Sequence, residues 1–157
     1  MADHAPAGDE SVTYPGYLAL RELLSLQRPR SQPEHPDELL FIVVHQASEL
    51  WFKVILHEIE QLVRAMQAGE TMYAVLAIRR VNALTRIVSA QLSALDTLPP
   101  QRFAQFRGYL GTSSGGQSAQ FRALEAASGM RGEHFLHGEG AGRDQIAGVV
   151  EEVQAEV

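Results

Sequence analysis

The chain has 157 residues, of which 45% are apolar, 13 are basic and 19 are acidic, so its net charge is −6. This length fits a single domain with a true hydrophobic core. The negative balance argues against a nucleic-acid partner, because phosphate backbones are bound by basic stripes. The sequence contains no cysteine, which excludes disulfides and thiolate-ligated metal sites.

The longest uninterrupted apolar run, Leu39–Val44, is far shorter than a membrane-spanning segment. The first residues have neither the basic nor the apolar region of a secretory signal. We therefore expect a cytoplasmic protein that has no membrane partner.

The N-terminal part of the chain is predicted to contain one short helix. Residues 1–12 are small and polar and contain a proline and a glycine, which predicts disorder. Apolar residues between Tyr14 and Gln27 then follow a helical spacing. The stretch from Gln27 to Pro36 carries three prolines and is typical of a connector.

A long helix is predicted to begin at Pro36. Proline suits the first helical position, and Asp37 and Glu38 place negative charge in the first turn. No glycine or proline follows before Gly69, so the helix can run to about Ala68. At about 1.5 Å per residue it would be close to 50 Å long, more than a compact domain of this size is wide. The length therefore predicts cover from another subunit.

A second long helix is predicted from about Thr71, and it ends before Pro99 and Pro100. Its apolar residues recur every three to five positions and favour antiparallel packing on the first long helix; they are Met72, Val75, Leu76, Val81, Leu84, Val88, Leu92 and Leu95. A short helix at 101–110, a Gly/Ser loop at 111–116 and a helix at 117–127 follow. The prediction is an all-α bundle with two long antiparallel helices.

Glycines become frequent from Gly129 onward, which predicts loop or disorder up to Arg143. Asp144 is a suitable cap for a final helix. We therefore divide the chain into a disordered start at 1–12, a helical domain at 13–128 and a glycine-rich segment at 129–157.

Two residues stand out for their chemistry. His45 directly follows Phe41 and three further apolar residues on a helix, so its neutral imidazole is expected to make one well-aimed hydrogen bond in a dry environment. Arg107 carries a guanidinium that can grip a carboxylate with two bonds. By residue type alone, a core histidine and a surface arginine are the more frequent situations. Arg122 is expected to form a structural ion pair.

Two motifs favour functional roles for His45 and Arg107 over these structural ones. The run Phe-Ile-Val-Val-His-Gln-Ala-Ser-Glu-Leu-Trp at 41–51 resembles the distal-side helix of the tryptophan 2,3-dioxygenase family. Phe-Arg-Gly-Tyr-Leu at 106–110, followed by Ser-Gly-Gly-Gln-Ser at 114–118, resembles the second hallmark of that family. Two separated matches in the right order are much more specific than either one alone.

The resemblance implies a helical, haem-dependent dioxygenase of tryptophan catabolism, the kynurenine pathway. Such an enzyme binds haem b, adds O2 across the C2–C3 bond of L-tryptophan or a related indole, forms N-formylkynurenine and assembles as a homo-oligomer. By resemblance His45 is the catalytic residue and bonds the indole N–H. Phe41 and Phe103 line the indole pocket, and Arg107 clamps the substrate carboxylate.

Further candidates come from the same resemblance. Ser114 and Gly115 lie where the family's loop passes over the haem and the substrate ammonium, although Gly116 replaces the usual aromatic residue. Tyr14 and Tyr17 are similar to a family segment that reaches into a neighbouring subunit's active site. Two aromatics that anchor a short helix would give the same pattern.

The sequence assigns no axial ligand to the haem iron. The motif resemblance runs from Tyr14 to about Gly129, and the family's second half, which supplies the proximal histidine, has no matching segment. His134 and His137 are spaced to bind a metal if helical, but their glycine-rich surroundings also suit a solvated loop. A shortened chain, a degenerate copy and one part of a split enzyme remain open. The competing function is a non-catalytic oligomerisation module without haem.

Overall fold

The computed structural model of the protein describes residues 12–129. Six α-helices lie in this range: α1 Tyr14–Tyr17, α2 Leu20–Leu23, α3 Glu38–Gln67, α4 Thr71–Leu92, α5 Pro100–Arg107 and α6 Ala119–Ala127. Three 3-10 helices connect them, at Ser93–Thr97, Gly108–Leu110 and Gly115–Gln117. Residues 12–129 contain no strand, and the all-α prediction is confirmed.

The helices α3 and α4 form the antiparallel pair that the sequence predicted. Gly69 makes the turn between them with a φ of 73°, a left-handed conformation that glycine adopts without strain. Small residues, Ala65, Ala74 and Ala77, are buried near this turn and let the two helices approach closely. Farther along, the amide of Gln91 on α4 donates to the hydroxyl of Ser48 on α3 at 2.8 Å.

The prediction of one helix between Tyr14 and Gln27 is wrong. The chain forms two single-turn helices, α1 and α2, which are separated at Ala19. Ala19 has a φ of 47°, a left-handed conformation that interrupts the helical hydrogen-bond ladder. Such short helices bury too little apolar surface to be stable alone, so neighbouring contacts determine their geometry.

The largest fully buried side chains of residues 12–129 lie away from the α3–α4 turn. They are Phe106 on α5 and Glu38 in the first turn of α3. Both lie where α5 meets the start of α3 and the segment that precedes it. The helix α6 packs on α3 as well, and the amide of Gln120 donates to the carboxylate of Glu49 at 2.8 Å.

One side of α3 has little cover. The most apolar 18-residue window of this helix has a mean hydropathy of 1.6, and only 17% of it is buried. By length and composition alone, α3 is the one helix in the described range that would be able to cross a bilayer. The longest uninterrupted apolar run does not indicate this property, because polar residues are spaced along the helix. The absence of a membrane partner therefore stays a prediction.

Several sequence predictions lie outside the described residues. They are the disorder of residues 1–11, the surroundings of His134 and His137, and the helix expected from Asp144. The domain boundaries at 12/13 and 128/129 also stay predictions.

Candidate functional site

An aromatic cluster joins α3 to α5. The ring of Phe41 lies 4.2 Å from the ring of His45 and 5.3 Å from that of Phe103, measured between centroids. Phe106 meets Phe41 at 5.8 Å and Phe103 at 5.3 Å, both in edge-to-face geometry. Residues that are about sixty positions apart in the sequence therefore form one apolar wall beside an imidazole. The structure thus brings together three of the predicted site residues, His45, Phe41 and Phe103.

The backbone fixes the tautomer of His45. Its Nδ1 lies 2.7 Å from the carbonyl oxygen of Phe41, one helical turn earlier. A carbonyl oxygen only accepts, so Nδ1 must carry the hydrogen. In the neutral ring, Nε2 is then left with a lone pair, and it can accept a hydrogen bond from a ligand N–H. His45 is half-buried, as expected for a group that meets a ligand at the edge of a cluster.

Arg107 organises the loop that follows α5. Its guanidinium donates to the carbonyl oxygen of Gly111 at 2.8 Å and to that of Ser113 at 3.4 Å. A guanidinium has five N–H groups, so these two bonds leave further donors for an anion. Arg107 is half-buried and follows Phe103 by one turn on α5. The loop contacts were not predicted from the sequence, and they add a structural role to the proposed carboxylate clamp.

Ser114 and Gly115 lie in a capped turn. The Ser114 hydroxyl accepts from the Gly116 amide, and the Gln117 side chain accepts from the Ser114 amide, which makes a reciprocal capping box. A Cβ added at Gly116 would meet only ordinary contacts at 3.6 Å, so the backbone there does not itself require glycine. Arg122 donates to the Gly116 carbonyl and pairs with Glu125 at 2.9 Å. The expected structural ion pair of Arg122 is confirmed.

Sequence reasoning missed two members of the cluster. Phe106 lies three residues after Phe103 and is therefore its neighbour on the surface of α5, a spacing that would have revealed it. His35 stacks on Phe106 at 5.1 Å. It lies in the proline-rich connector, where no periodicity predicts which way a side chain points.

Tyr14 and Tyr17 do not join the cluster. Their exposed fractions are 73% and 78%, and both lie on α1. Two aromatics that anchor a helix would be covered, so these exposures favour a surface role for both rings.

The described histidines do not offer an axial ligand for haem iron. His35 has both ring nitrogens engaged, by the Asp37 amide at 3.2 Å and by Gln105 at 2.9 Å. His45 keeps Nε2 available, but this histidine lies against the aromatic cluster, where the motif resemblance assigns it to the indole N–H and not to the iron. His57 is exposed and lies about 120° around α3 from His45, given about 100° of rotation per residue. Residues 12–129 therefore place no second histidine with a free ring nitrogen beside the cluster, and they do not fit the iron-ligating side of a haem site.

Comparison with known proteins decides the family. A sequence model described as tryptophan 2,3-dioxygenase matches residues 2–150. The chain belongs to the tryptophan 2,3-dioxygenase family. The matched range is wider than the Tyr14–Gly129 region that the two motifs indicated.

Individual relatives agree with this assignment. Proteins named tryptophan 2,3-dioxygenase from Kineococcus radiotolerans and Anaeromyxobacter sp. strain K are 46% and 49% identical to this chain, and the alignments cover 89% and 83% of it. A third, from Caulobacter vibrioides, is 45% identical over 81% of this chain. The aligned regions cover 50%, 48% and 48% of these relatives. The chain thus spans about half the length of the curated relatives that it matches.

Proposed function

We propose that this chain provides the substrate-binding side of a tryptophan 2,3-dioxygenase site, which acts on L-tryptophan or a related indole. The observation that carries the proposal is the pairing of an apolar wall with an oriented imidazole. Phe41 and Phe103 offer flat apolar surface to an indole ring, and Nε2 of His45 offers an acceptor to its N–H. An indole requires these two properties together.

The amino acid part of the substrate would lie toward the loop after α5. Arg107 extends from the same helix as Phe103 and retains donors beyond its loop contacts. A bidentate guanidinium–carboxylate pair would discriminate an amino acid from free indole. Ser114 and Gly115 follow in the same loop, and in this proposal they pass over the haem and the substrate ammonium.

In the proposed holoenzyme, haem b supplies the O2 chemistry that opens the indole ring to N-formylkynurenine. The residues of this chain bind and orient the indole, exclude water from the ring and hold the N–H at Nε2 of His45. The axial ligand would come from outside residues 12–129, either from His134 or His137 or from another polypeptide.

A homo-oligomer is the proposed assembly. Four exposed apolar residues of α3 lie four, seven and four positions apart and form one stripe; they are Leu39, Val43, Leu50 and Val54, with exposed fractions of 49%, 43%, 52% and 40%. This spacing is the seam that helices bury against one another. A second copy would cover it, and the exposed Tyr14 and Tyr17 would be available to reach a neighbouring site. In this proposal the assembly is cytoplasmic.

Haem titration tests the proposed function. The purified chain is titrated alone, and also when mixed with the half of the Anaeromyxobacter relative that it does not match, each with and without L-tryptophan. We expect a Soret band that L-tryptophan shifts in at least one of the two samples, the chain alone or the mixture. His45→Ser should retain the band and reduce the shift. A chain that gives no band in either sample would instead be a helical oligomerisation module.

A further inference from the structure

The segment from Ser31 to Asp37, called the clasp here, holds α5 from the side opposite the loop. The Asp37 carboxylate pairs with the Arg102 guanidinium. Nε2 of His35 bonds Gln105 at 2.9 Å, and its ring stacks on Phe106. The Gln32 carbonyl accepts from the Tyr109 hydroxyl at 2.7 Å. These contacts join a short irregular segment to α5 and to the 3-10 helix that follows it.

The clasp contacts lie on one face of α5. The partner residues on α5 are 102, 105 and 106, spaced as the residues of one helical face are, and Tyr109 lies in the 3-10 helix that follows. Phe103 and Arg107 lie roughly 130° around the helix from the centre of that face, given about 100° per residue. The clasp therefore contacts one side of α5, and the proposed substrate residues Phe103 and Arg107 lie toward the other side. Phe106 stands between the two faces and contacts both His35 and Phe41.

The clasp is itself fixed to α3. The buried Glu38 carboxylate accepts from the Arg30 amide at 2.7 Å, from the Ser31 amide at 3.0 Å and from the Ser31 hydroxyl. Glu38 precedes His45 by two helical turns and shares its face of α3. One rigid helix thus carries both the histidine that would meet the indole and the carboxylate that anchors the clasp.

Few extensive helix–helix contacts hold α5. In the described part of the chain, α3 packs extensively on α4 and on α6, whereas α5 has no comparably extensive contact with another α-helix. Side-chain contacts such as those of the clasp and of Phe106 therefore contribute to the rotation and distance of α5. Because Phe103 and Arg107 are on α5 while Phe41 and His45 are on α3, the same contacts set the width of the proposed pocket.

We propose that Asp37 and His35 of the clasp, through Arg102 and Gln105, are positioning residues that orient Arg107 and Phe103 toward Phe41 and His45. This inference rests on the proposed function, because it concerns the grip on the substrate carboxylate. The clasp residues do not touch the substrate in this proposal; they determine where the residues that do touch it are placed.

The test combines a distance with a ligand preference. The chain has no cysteine, so spin labels at Gln101→Cys and Lys53→Cys report only the separation of α5 and α3. Both positions are exposed. The variant R102A/Q105A removes the partners of Asp37 and His35 and leaves a helix rich in alanine, which favours folding. Arg102→Lys keeps the charge, and Arg86→Ala, which removes an exposed guanidinium from α4, is the matched control.

We expect the label distances to form a narrow distribution in the labelled parent, Arg102→Lys and Arg86→Ala, and one at least about twofold wider in R102A/Q105A. The preference for L-tryptophan over indole, measured by calorimetry without the labels, should fall about tenfold in R102A/Q105A only. An unchanged distribution would overturn the inference, and so would a wider one with an unchanged ligand preference. If the parent protein binds neither ligand while the distances respond, the proposed function fails and the substrate role of the clasp fails with it.

Discussion

Glu38→Gln is the most informative single perturbation of this fold. The carboxylate of Glu38 is fully buried and accepts three hydrogen bonds, from the amides of Arg30 and Ser31 and from the Ser31 hydroxyl. Glutamine keeps the size and shape of the side chain but replaces one acceptor oxygen with a donor NH2 group. Since both carboxylate oxygens receive N–H donors, the amide cannot satisfy both sides.

The magnitude follows from these bonds. Either the part-buried Arg30 N–H or the buried Ser31 N–H loses its acceptor, which costs about 1–3 kcal/mol. The remaining bonds change from charge-assisted to neutral, a further loss of about 1 kcal/mol each. The free energy of unfolding should therefore fall by about 3–5 kcal/mol in Glu38→Gln. The free energy of unfolding typically falls by about 2 kcal/mol per molar urea, so the urea concentration at the unfolding midpoint should fall by about 2 M.

Urea unfolding followed by circular dichroism measures this loss. Glu34→Gln is the matched control, because Glu34 is exposed in the same segment and the charge change is identical. The control should change the free energy of unfolding by less than about 0.5 kcal/mol. A loss in Glu38→Gln below about 1 kcal/mol, or one equal to the control, would refute the anchoring role of the carboxylate.

The difference in the free energy of unfolding between wild type and Glu38→Gln should depend on pH. Burial raises the pKa of Glu38, but hydrogen bonds from Ser31 and from the Arg30 amide outweigh burial, and the net pKa lies below the ordinary 4.5. A lowered folded pKa means that the ionised group stabilises the fold fully above 4.5 and that this stability is lost as the pH falls through the folded pKa. The difference between wild type and Glu38→Gln should therefore be constant near neutral pH and shrink in acid. A difference that stayed constant in acid would contradict this assignment.

Three further outcomes test the site and the assembly. Arg107→Ala should weaken L-tryptophan binding in calorimetry by about 1.5–3 kcal/mol and leave indole binding nearly unchanged, whereas equal losses would leave Arg107 only its contacts with the loop. In the native protein a methyl group on the indole nitrogen should weaken binding, and this loss of affinity should be smaller in His45→Ser. If His45→Ser instead loses about 1–3 kcal/mol of stability and the loss of affinity is unchanged, the active-site role of His45 is wrong. Leu50→Glu should shift light scattering from an oligomer to a monomer, because it places a charge in the exposed stripe of α3, and a wild-type monomer at micromolar concentration would contradict the proposed assembly.

The sequence alone determined the helical architecture. Proline or glycine flanks α3 at both ends and α4 at its start, and the helical spacing between them leaves few alternatives. The change from α4 to the 3-10 helix Ser93–Thr97, before Pro99, was not predicted. The two motifs around His45 and Arg107 also identified the family, because each combines a specific order of residue types at a short range. Such local signals survive in a sequence because they depend on neighbours within one or two helical turns.

Only the tertiary structure decided how the parts meet. The ring contact between Phe41 and Phe103, the loop bonds of Arg107 and the clasp on α5 all join residues that are distant in sequence or lie in irregular backbone. No periodicity predicts the direction of the His35 side chain, and the burial of Glu38 contradicts the usual preference of a helix-start carboxylate for solvent. That burial is stable only because three donors from a preceding irregular segment converge on one carboxylate, a geometry that depends on the whole path of the chain rather than on any local pattern.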